Sequence, residues 1–126
     1  NCPLYIVTDG NQRVQAAKID ALALDRYVRH AFITYRYGRQ HAKPSPYCFI
    51  QIARREKIDP RRIVYVGDNP HKDFVGIKPL GFLTVRLLRG PYCHDRVPEK
   101  QDAEFVIHTL DELLSAPPWN RFDKEA

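Results

Sequence analysis

The sequence predicts an α/β protein with a Rossmann-like parallel sheet and helices on both faces. Three observations lead to this prediction. Short apolar runs alternate with segments of helical periodicity along the 126-residue chain, a pattern typical of parallel sheets. The run from Ile63 to Val66 has no polar alternation, as in a strand covered on both faces. Several polar residues follow the ends of these runs, where ligands bind in such sheets.

Five segments are predicted as strands because they are rich in β-branched and aromatic residues and lie next to turn-forming residues. In chain order they are Leu4 to Thr8, Ala31 to Tyr37, Arg62 to Asp68, Phe82 to Leu88 and Glu104 to Thr109. Because connected parallel strands point the same way, the carboxyl ends of these segments are expected at one edge of the sheet.

Four helices are predicted between and after these strands. The first covers about Arg13 to Arg29, with an apolar stripe of Val14, Ala17, Ala21, Leu24 and Val28. The second begins after Ser45 as N-cap, with Pro46 at its first position and a buried face of Cys48, Phe49, Ile52 and Ala53. The third runs from about Pro70 to Leu80 and ends at Gly81. A short fourth helix follows a capping box of Thr109 and Glu112.

Length and composition indicate one domain. We assign residues 1–116 to a core domain and residues 117–126 to a loose tail without periodicity. The net charge of +5 is spread over the sequence, so we favour a solvated basic surface over nucleic-acid binding. No apolar run is long enough to span a bilayer, and three cysteines without zinc-site spacing suggest reduced thiols in the cytoplasm.

Two carboxylates follow the third predicted strand within a few positions of each other. Asp68 ends the strand, and Asp73 falls at the start of the predicted helix. Such a pair repels unless a positive charge lies nearby, and oxygen ligands of this kind suit Mg²⁺. The alternative is structural, with Asp68 as the helix cap and Asp73 as a partner of the helix dipole. The two residues alone leave both interpretations open.

Thr8 and Lys43 are candidates for binding a phosphate. Lys43 lies just before the predicted helix start at Ser45 and Pro46, and Thr8 ends the first strand with a hydroxyl. A lysine is unfavourable beside a helix N-terminus unless both point at a shared anion. Either residue alone is also compatible with an ordinary solvated side chain.

Taken in order, these motifs resemble the second, third and fourth motifs of the haloacid dehalogenase superfamily. The matching segments are YIVTDG with Thr8, KPSP with Lys43 and VYVGDNPHKD with Asp68 and Asp73. The Gly-Asp-x4-Asp form is similar to the phosphatase branch of that superfamily, and the likeness extends over about Leu4 to Leu114.

The resemblance implies a Mg²⁺-dependent phosphohydrolase that acts on a small phosphorylated substrate through an aspartyl-phosphate. It implies that Thr8, Asp9 and Gly10 bind the substrate together with Lys43, which also neutralises phosphoryl charge during catalysis. It implies that Asp68 binds Mg²⁺, and that Asp73 contributes to the metal site and to catalysis.

The superfamily's first motif, Asp-x-Asp, does not occur in this sequence. An alternative nucleophile, Asp9, has Asn11 where the second acid is needed, and an amide is a poor proton carrier. We therefore expect a C-terminal part of the core domain, whose sheet lacks its central first strand. An upstream segment or a second chain is expected to complete it, and residues 1–126 alone are predicted to be inactive. A non-catalytic phosphate- or metal-binding module is the alternative function, ahead of a nucleic-acid-binding domain.

Overall fold

Across residues 2–115, five parallel strands form two separate sheets. The first sheet pairs β1 (Tyr5–Thr8) with β2 (His30–Ile33). The second has the order β3 (Val64–Gly67), β4 (Leu83–Leu87) and β5 (Phe105–Ile107). Every pairing is parallel. The computed structural model thus confirms the predicted α/β class and the position of each strand.

The chain divides into two compact units, Asn1–Arg55 and Glu56–Ala126. The structure describes residues 2–115, so the predicted tail lies outside the described residues. Within that range β1 and β3 belong to different sheets and do not pair with each other. Two separate parallel sheets agree with the expectation of a partial core domain.

In the first unit, two helices lie on opposite faces of the two-stranded sheet. Residues of α2 (Tyr47–Glu56) pack on Phe32, with Cys48 and Ile52 in the same buried cluster. Side chains of α1 (Gln12–Ala21) line a small cavity with Ala31 and Ile33, the neighbours of Phe32 in β2. Successive strand residues point to opposite faces, so the arrangement is a helix–sheet–helix sandwich, as predicted.

The predicted apolar stripe of the first helix is wrong. The helix ends at Ala21 rather than near Arg29, and it contains no fully buried residue. Val14 is 49% exposed, whereas Ala16 and Ile19 face the sheet. Both sets of positions have helical spacing, so periodicity alone did not distinguish them.

The second strand is shorter than predicted. β2 ends at Ile33, and Thr34–Tyr37 form a 3-10 turn. The Thr34 side chain is fully buried and donates a hydrogen bond to Asp9 Oδ1 at 2.7 Å. This contact draws the chain out of the strand despite the β-branched and aromatic composition of the segment.

The second unit has a buried apolar cluster on one face of the three-stranded sheet, and Phe74 and Phe82 are buried outside this cluster. Leu83, Val85 and Ile107 form the buried cluster, with half-buried neighbours that include Val64 and Val66. Tyr65, on the opposite face of β3 from Val64 and Val66, lies beside Phe74 with the ring centroids 6.4 Å apart, so β3 has neighbours on both faces, and all four of its residues are half-buried. The central strand β4 is the one buried along most of its length.

No α-helix forms between Pro70 and Leu80, contrary to prediction. The segment is a series of turns closed by a 3-10 turn at Lys78–Leu80, and Gly81 follows it with a φ of +97°. Gly76 and Pro79 both disfavour a continuous helix. The apolar residues of the segment are nevertheless buried, since Phe74 and Ile77 are 0% and 1% exposed.

The short C-terminal helix α3 (Glu112–Ser115) begins where predicted. The Glu112 carboxylate accepts hydrogen bonds from the backbone N–H groups of His108 and Thr109, which forms half of the predicted capping box. Across residues 2–115, none of the helices has the length and hydropathy that crossing a bilayer requires.

Candidate functional site

Thr8 lies at the carboxyl end of β1, immediately before the N-terminus of α1. Its hydroxyl donates to Gln15 Oε1 at 3.1 Å. Gly10 has a φ of +128°, and a Cβ there would lie 2.9 Å from the Gln15 side chain. Asn11 caps α1 by accepting from two backbone N–H groups of the first turn. The sharp Thr8–Asn11 turn therefore requires glycine and presents a hydroxyl beside a helix N-terminus.

Asp9 joins three segments of the first unit through one carboxylate oxygen. Its Oδ1 accepts from Thr34 Oγ1 at 2.7 Å and from the Lys43 backbone N–H at 3.1 Å. Burial raises the pKa of the Cys48 thiol to about 11, and the negative charge of Asp9 is the second cause of this rise. The hydrogen bonds of Asp9 lie within the protein, and contact of Asp9 with substrate, which the family resemblance implies, stays a prediction.

Lys43 lies in a half-buried loop that leads into α2. Its peptide bond to Pro44 is cis, and Ser45 N–H donates to the Ala42 carbonyl at 2.9 Å. The Ser45 hydroxyl accepts from Tyr47 N–H at 3.3 Å, in keeping with the predicted N-cap. The first unit thus brings the loops of Thr8, Asp9 and Lys43 together.

In the second unit, Asp73 organises the loop that follows β3. Its side chain is buried, and Oδ2 accepts from the backbone N–H groups of Asp68 at 3.1 Å and Asn69 at 2.8 Å. Asp68 is exposed at the carboxyl end of the strand. The two predicted metal-site residues are therefore close in space but differ in surroundings.

Gly67 makes the close approach of Asp73 possible. A Cβ at Gly67 would lie 2.5 Å from Asp73 Oδ2 and 2.9 Å from its Cγ. No real Cβ approaches other atoms so closely, so a side chain at this position would displace the carboxylate. The glycine of the Gly-Asp-x4-Asp pattern is thus required for packing, because it leaves room for the second aspartate.

Sequence reasoning missed the segment that follows β4. Arg86 is buried in β4 and donates to the carbonyls of Tyr92 and Asp95 at 2.9 and 2.7 Å. The same segment approaches the metal-site loop, since a Cβ at Gly90 would lie 3.4 Å from Asp68 Oδ2. A single charged residue in a strand predicted to be buried was the available signal.

The carboxylates of Asp68 and Asp73 are suitable ligands for a hard cation, but they are only two. Carboxylate oxygens from Asp68 and Asp73 are ligands that Mg²⁺ accepts, and this ion commonly uses one or two protein carboxylates beside waters and phosphate. Among residues 2–115 there is no group of three or more His, Cys, Asp or Glu side chains placed to hold a metal. Asp68, which is exposed, is the better placed of the two for direct coordination.

Comparison with known proteins identifies the family of the chain. A family of haloacid dehalogenase-like hydrolases matches residues 1–81. The chain is 34% identical over 109 residues to a glyceraldehyde 3-phosphate phosphatase of Pyrococcus furiosus, covering 86% of this chain and 45% of the relative. It is 36% identical over 113 residues to the protein of that name from Methanopyrus kandleri, covering 88% and 47%.

A solved structure gives the same result at the level of the fold. The crystal structure of a HAD phosphatase from Thermococcus onnurineus matches with a TM-score of 0.72 and 29% identity, covering 90% of this chain and 49% of that one. The chain spans about half the length of the curated relatives it matches. On the family match over residues 1–81, the chain belongs to the haloacid dehalogenase-like hydrolases.

Proposed function

We propose that this chain supplies the phosphate- and magnesium-binding residues of a Mg²⁺-dependent phosphohydrolase. The observation that carries the proposal is the loop after β3. There the buried Asp73 fixes the backbone of Asp68 and Asn69, and the Asp68 carboxylate remains exposed. A loop ordered in this way holds a carboxylate ready to bind a cation, because little further ordering is needed.

The remaining roles concern the phosphoryl group. Lys43 offers a positive charge to the phosphoryl oxygens, and Thr8 offers a hydroxyl with the α1 N-terminus behind it. Asp73 holds the loop of Asp68 and Asn69 in place through its two hydrogen bonds, and it contributes to the metal site mainly in this way. Mg²⁺, when bound, supplies charge neutralisation for phosphoryl transfer. These residues bind and orient the phosphate, while the attacking group must come from an acidic residue.

That acidic nucleophile is proposed to lie outside residues 1–126, since the sequence contains no Asp-x-Asp. It would form the aspartyl-phosphate of the complete enzyme. A small phosphorylated compound is the proposed substrate, and glyceraldehyde 3-phosphate is the first to test because the relatives carry its name. The three cysteines are free thiols, which suits a cytoplasmic enzyme.

The test compares Asp68→Asn and Asp73→Asn in the complete enzyme. We expect Asp68→Asn to lower Mg²⁺-dependent turnover by more than about a hundredfold, because the amide loses the charge that binds the cation. Asp73→Asn should weaken turnover less, through disorder of the loop. Initial rates and Mg²⁺ titrations measure both effects.

Asp111→Asn is the matched control, since Asp111 is exposed in the same unit, next to α3. It should leave rate and metal affinity unchanged. Wild-type turnover and metal affinity in Asp68→Asn would contradict the metal site and favour a capping role for Asp68. Metal binding without turnover in the unaltered complete protein would favour the non-catalytic module.

A further inference from the structure

We propose that Asp9 is a positioning residue that fixes the Lys43 loop, and that it neither attacks nor binds the substrate through its carboxylate. The inference rests on the proposed role of Lys43 in binding the phosphoryl group. It goes beyond that role by assigning the group that holds the lysine in place.

One carboxylate oxygen of Asp9 is shared by two hydrogen-bond donors. Oδ1 of Asp9 accepts two hydrogen bonds, from Thr34 Oγ1 at 2.7 Å and from Lys43 N–H at 3.1 Å. Hydrogen bonds to an ionised carboxylate are stronger than neutral ones. One oxygen therefore ties the end of β1 to the residue after β2 and to the loop before α2.

Thr34, the side-chain donor to Asp9, is itself held rigidly. Thr34 is fully buried, and its hydroxyl also lies 3.4 Å from the Thr8 carbonyl. The hydroxyl is thereby fixed between two acceptors that flank the end of β1. Because Thr34 cannot move far, Asp9 is held in place, and Lys43 N–H is positioned against a fixed acceptor.

The hydrogen bonds to Asp9 also make its carboxylate a poor candidate for the nucleophile. A nucleophilic carboxylate needs an oxygen placed in line with the leaving group, whereas Asp9 Oδ1 already accepts two hydrogen bonds inside the protein. The Asp9 charge is also felt by the buried Cys48 thiol on α2, whose pKa is raised to about 11 chiefly by burial and then by that charge. At least one carboxylate oxygen of Asp9 is therefore engaged by donors of the protein itself.

The test is a double-mutant cycle in the complete enzyme, assayed with Mg²⁺ and an aryl phosphate. Lys43→Ala should lower kcat by more than about tenfold, since charge stabilisation in an active site is a large catalytic effect. Asp9→Ala should lower kcat about tenfold, because a displaced loop misplaces the lysine. The double variant should be no slower than Lys43→Ala alone, because Asp9 acts through Lys43.

Asp9→Asn is the conservative variant. Its amide oxygen can accept the same two hydrogen bonds, so it should recover most of the kcat lost in Asp9→Ala, to within about threefold of the unaltered enzyme. An Asp9→Asn enzyme as slow as Asp9→Ala would overturn the inference and return Asp9 to the role of nucleophile or charged ligand. Additive losses in Asp9→Ala and Lys43→Ala would overturn it as well.

Two further outcomes separate this inference from the proposed function. If Lys43→Ala keeps full activity, the proposed role of the lysine fails first, and the inference falls with it. If Lys43→Ala is slow but Asp9→Ala is normal, the inference alone fails. If Asp9→Ala does not fold, Thr34→Val can replace it, because this variant removes the other hydrogen-bond donor to Asp9. Thr34→Val should lower kcat in the unaltered enzyme but should cause no further decrease when Lys43 is already alanine.

Discussion

At the scale of single residues, the organising feature of the second unit is a buried carboxylate rather than the exposed one. Asp73 is 3% exposed and is satisfied by two backbone N–H groups of the loop after β3. A buried charge is costly unless it is hydrogen-bonded in this way. Both aspartates were predicted as metal-site residues, and their positions in the sequence gave no indication that one would be buried and the other exposed.

Gly67→Ala should destabilise the protein, since the added Cβ would lie 2.5 Å from Asp73 Oδ2. Overpacking of this kind costs about 1–3 kcal/mol. We expect that decrease in the free energy of unfolding by urea titration, together with weaker Mg²⁺ binding because the Asp68 loop is displaced.

The double variant Gly67→Ala/Asp73→Ala is the control. Removing the carboxylate removes the atoms that the new Cβ would contact, so the double variant should lose less stability than the sum of the two single variants. Additive losses would show that Gly67 and Asp73 do not meet in the folded protein.

At the scale of elements, sequence patterns located all five strands but misjudged several boundaries and one whole helix. The segment after Asp68 was predicted as a helix because apolar residues recur there, and Phe74 and Ile77 are indeed buried. The side chain of Asp73 bonds back to the preceding backbone, and Gly76 and Pro79 interrupt the pattern. Burial was thus predictable from the pattern, whereas the backbone conformation depended on the Asp73 contact together with Gly76 and Pro79.

The two helices of the first unit offer a direct test of which stripe is buried. Ile52 of α2 is 6% exposed in the cluster with Phe32 and Cys48, whereas Val14 of α1 is 49% exposed. We expect Ile52→Ala to cost about 2–4 kcal/mol through lost contacts and a cavity. Val14→Ala should change stability by less than about 0.5 kcal/mol.

Chemical denaturation of the two variants measures this difference. Ala17→Ser serves as a second exposed control on α1, since Ala17 belongs to the stripe first predicted as buried and is exposed. Losses of similar size in Val14→Ala and Ile52→Ala would restore the predicted stripe and contradict the packing of α1 described above.

At the scale of the whole molecule, recognition of the family did not depend on any one motif. Thr8, Lys43, Asp68 and Asp73 are each compatible with ordinary structural roles, yet their order along alternating strands and helices is specific. The family match over residues 1–81 confirms that interpretation. The geometry inside each unit was beyond sequence reasoning, because bonds such as Thr34 to Asp9 join residues far apart in the chain.

The last prediction concerns residues 1–126 as a molecule. We expect the purified chain to show no phosphatase activity with Mg²⁺ and an aryl phosphate, because Thr8 and Lys43 can bind a phosphate but cannot replace an acidic nucleophile. The sequence has no Asp-x-Asp, and Asp9 is engaged by Thr34 and Lys43. Cooperative thermal unfolding shows that the sample is folded, and a glyceraldehyde 3-phosphate phosphatase relative is the positive control. Turnover that Asp9→Asn abolishes would instead identify Asp9 as the nucleophile and place a complete reaction within this chain.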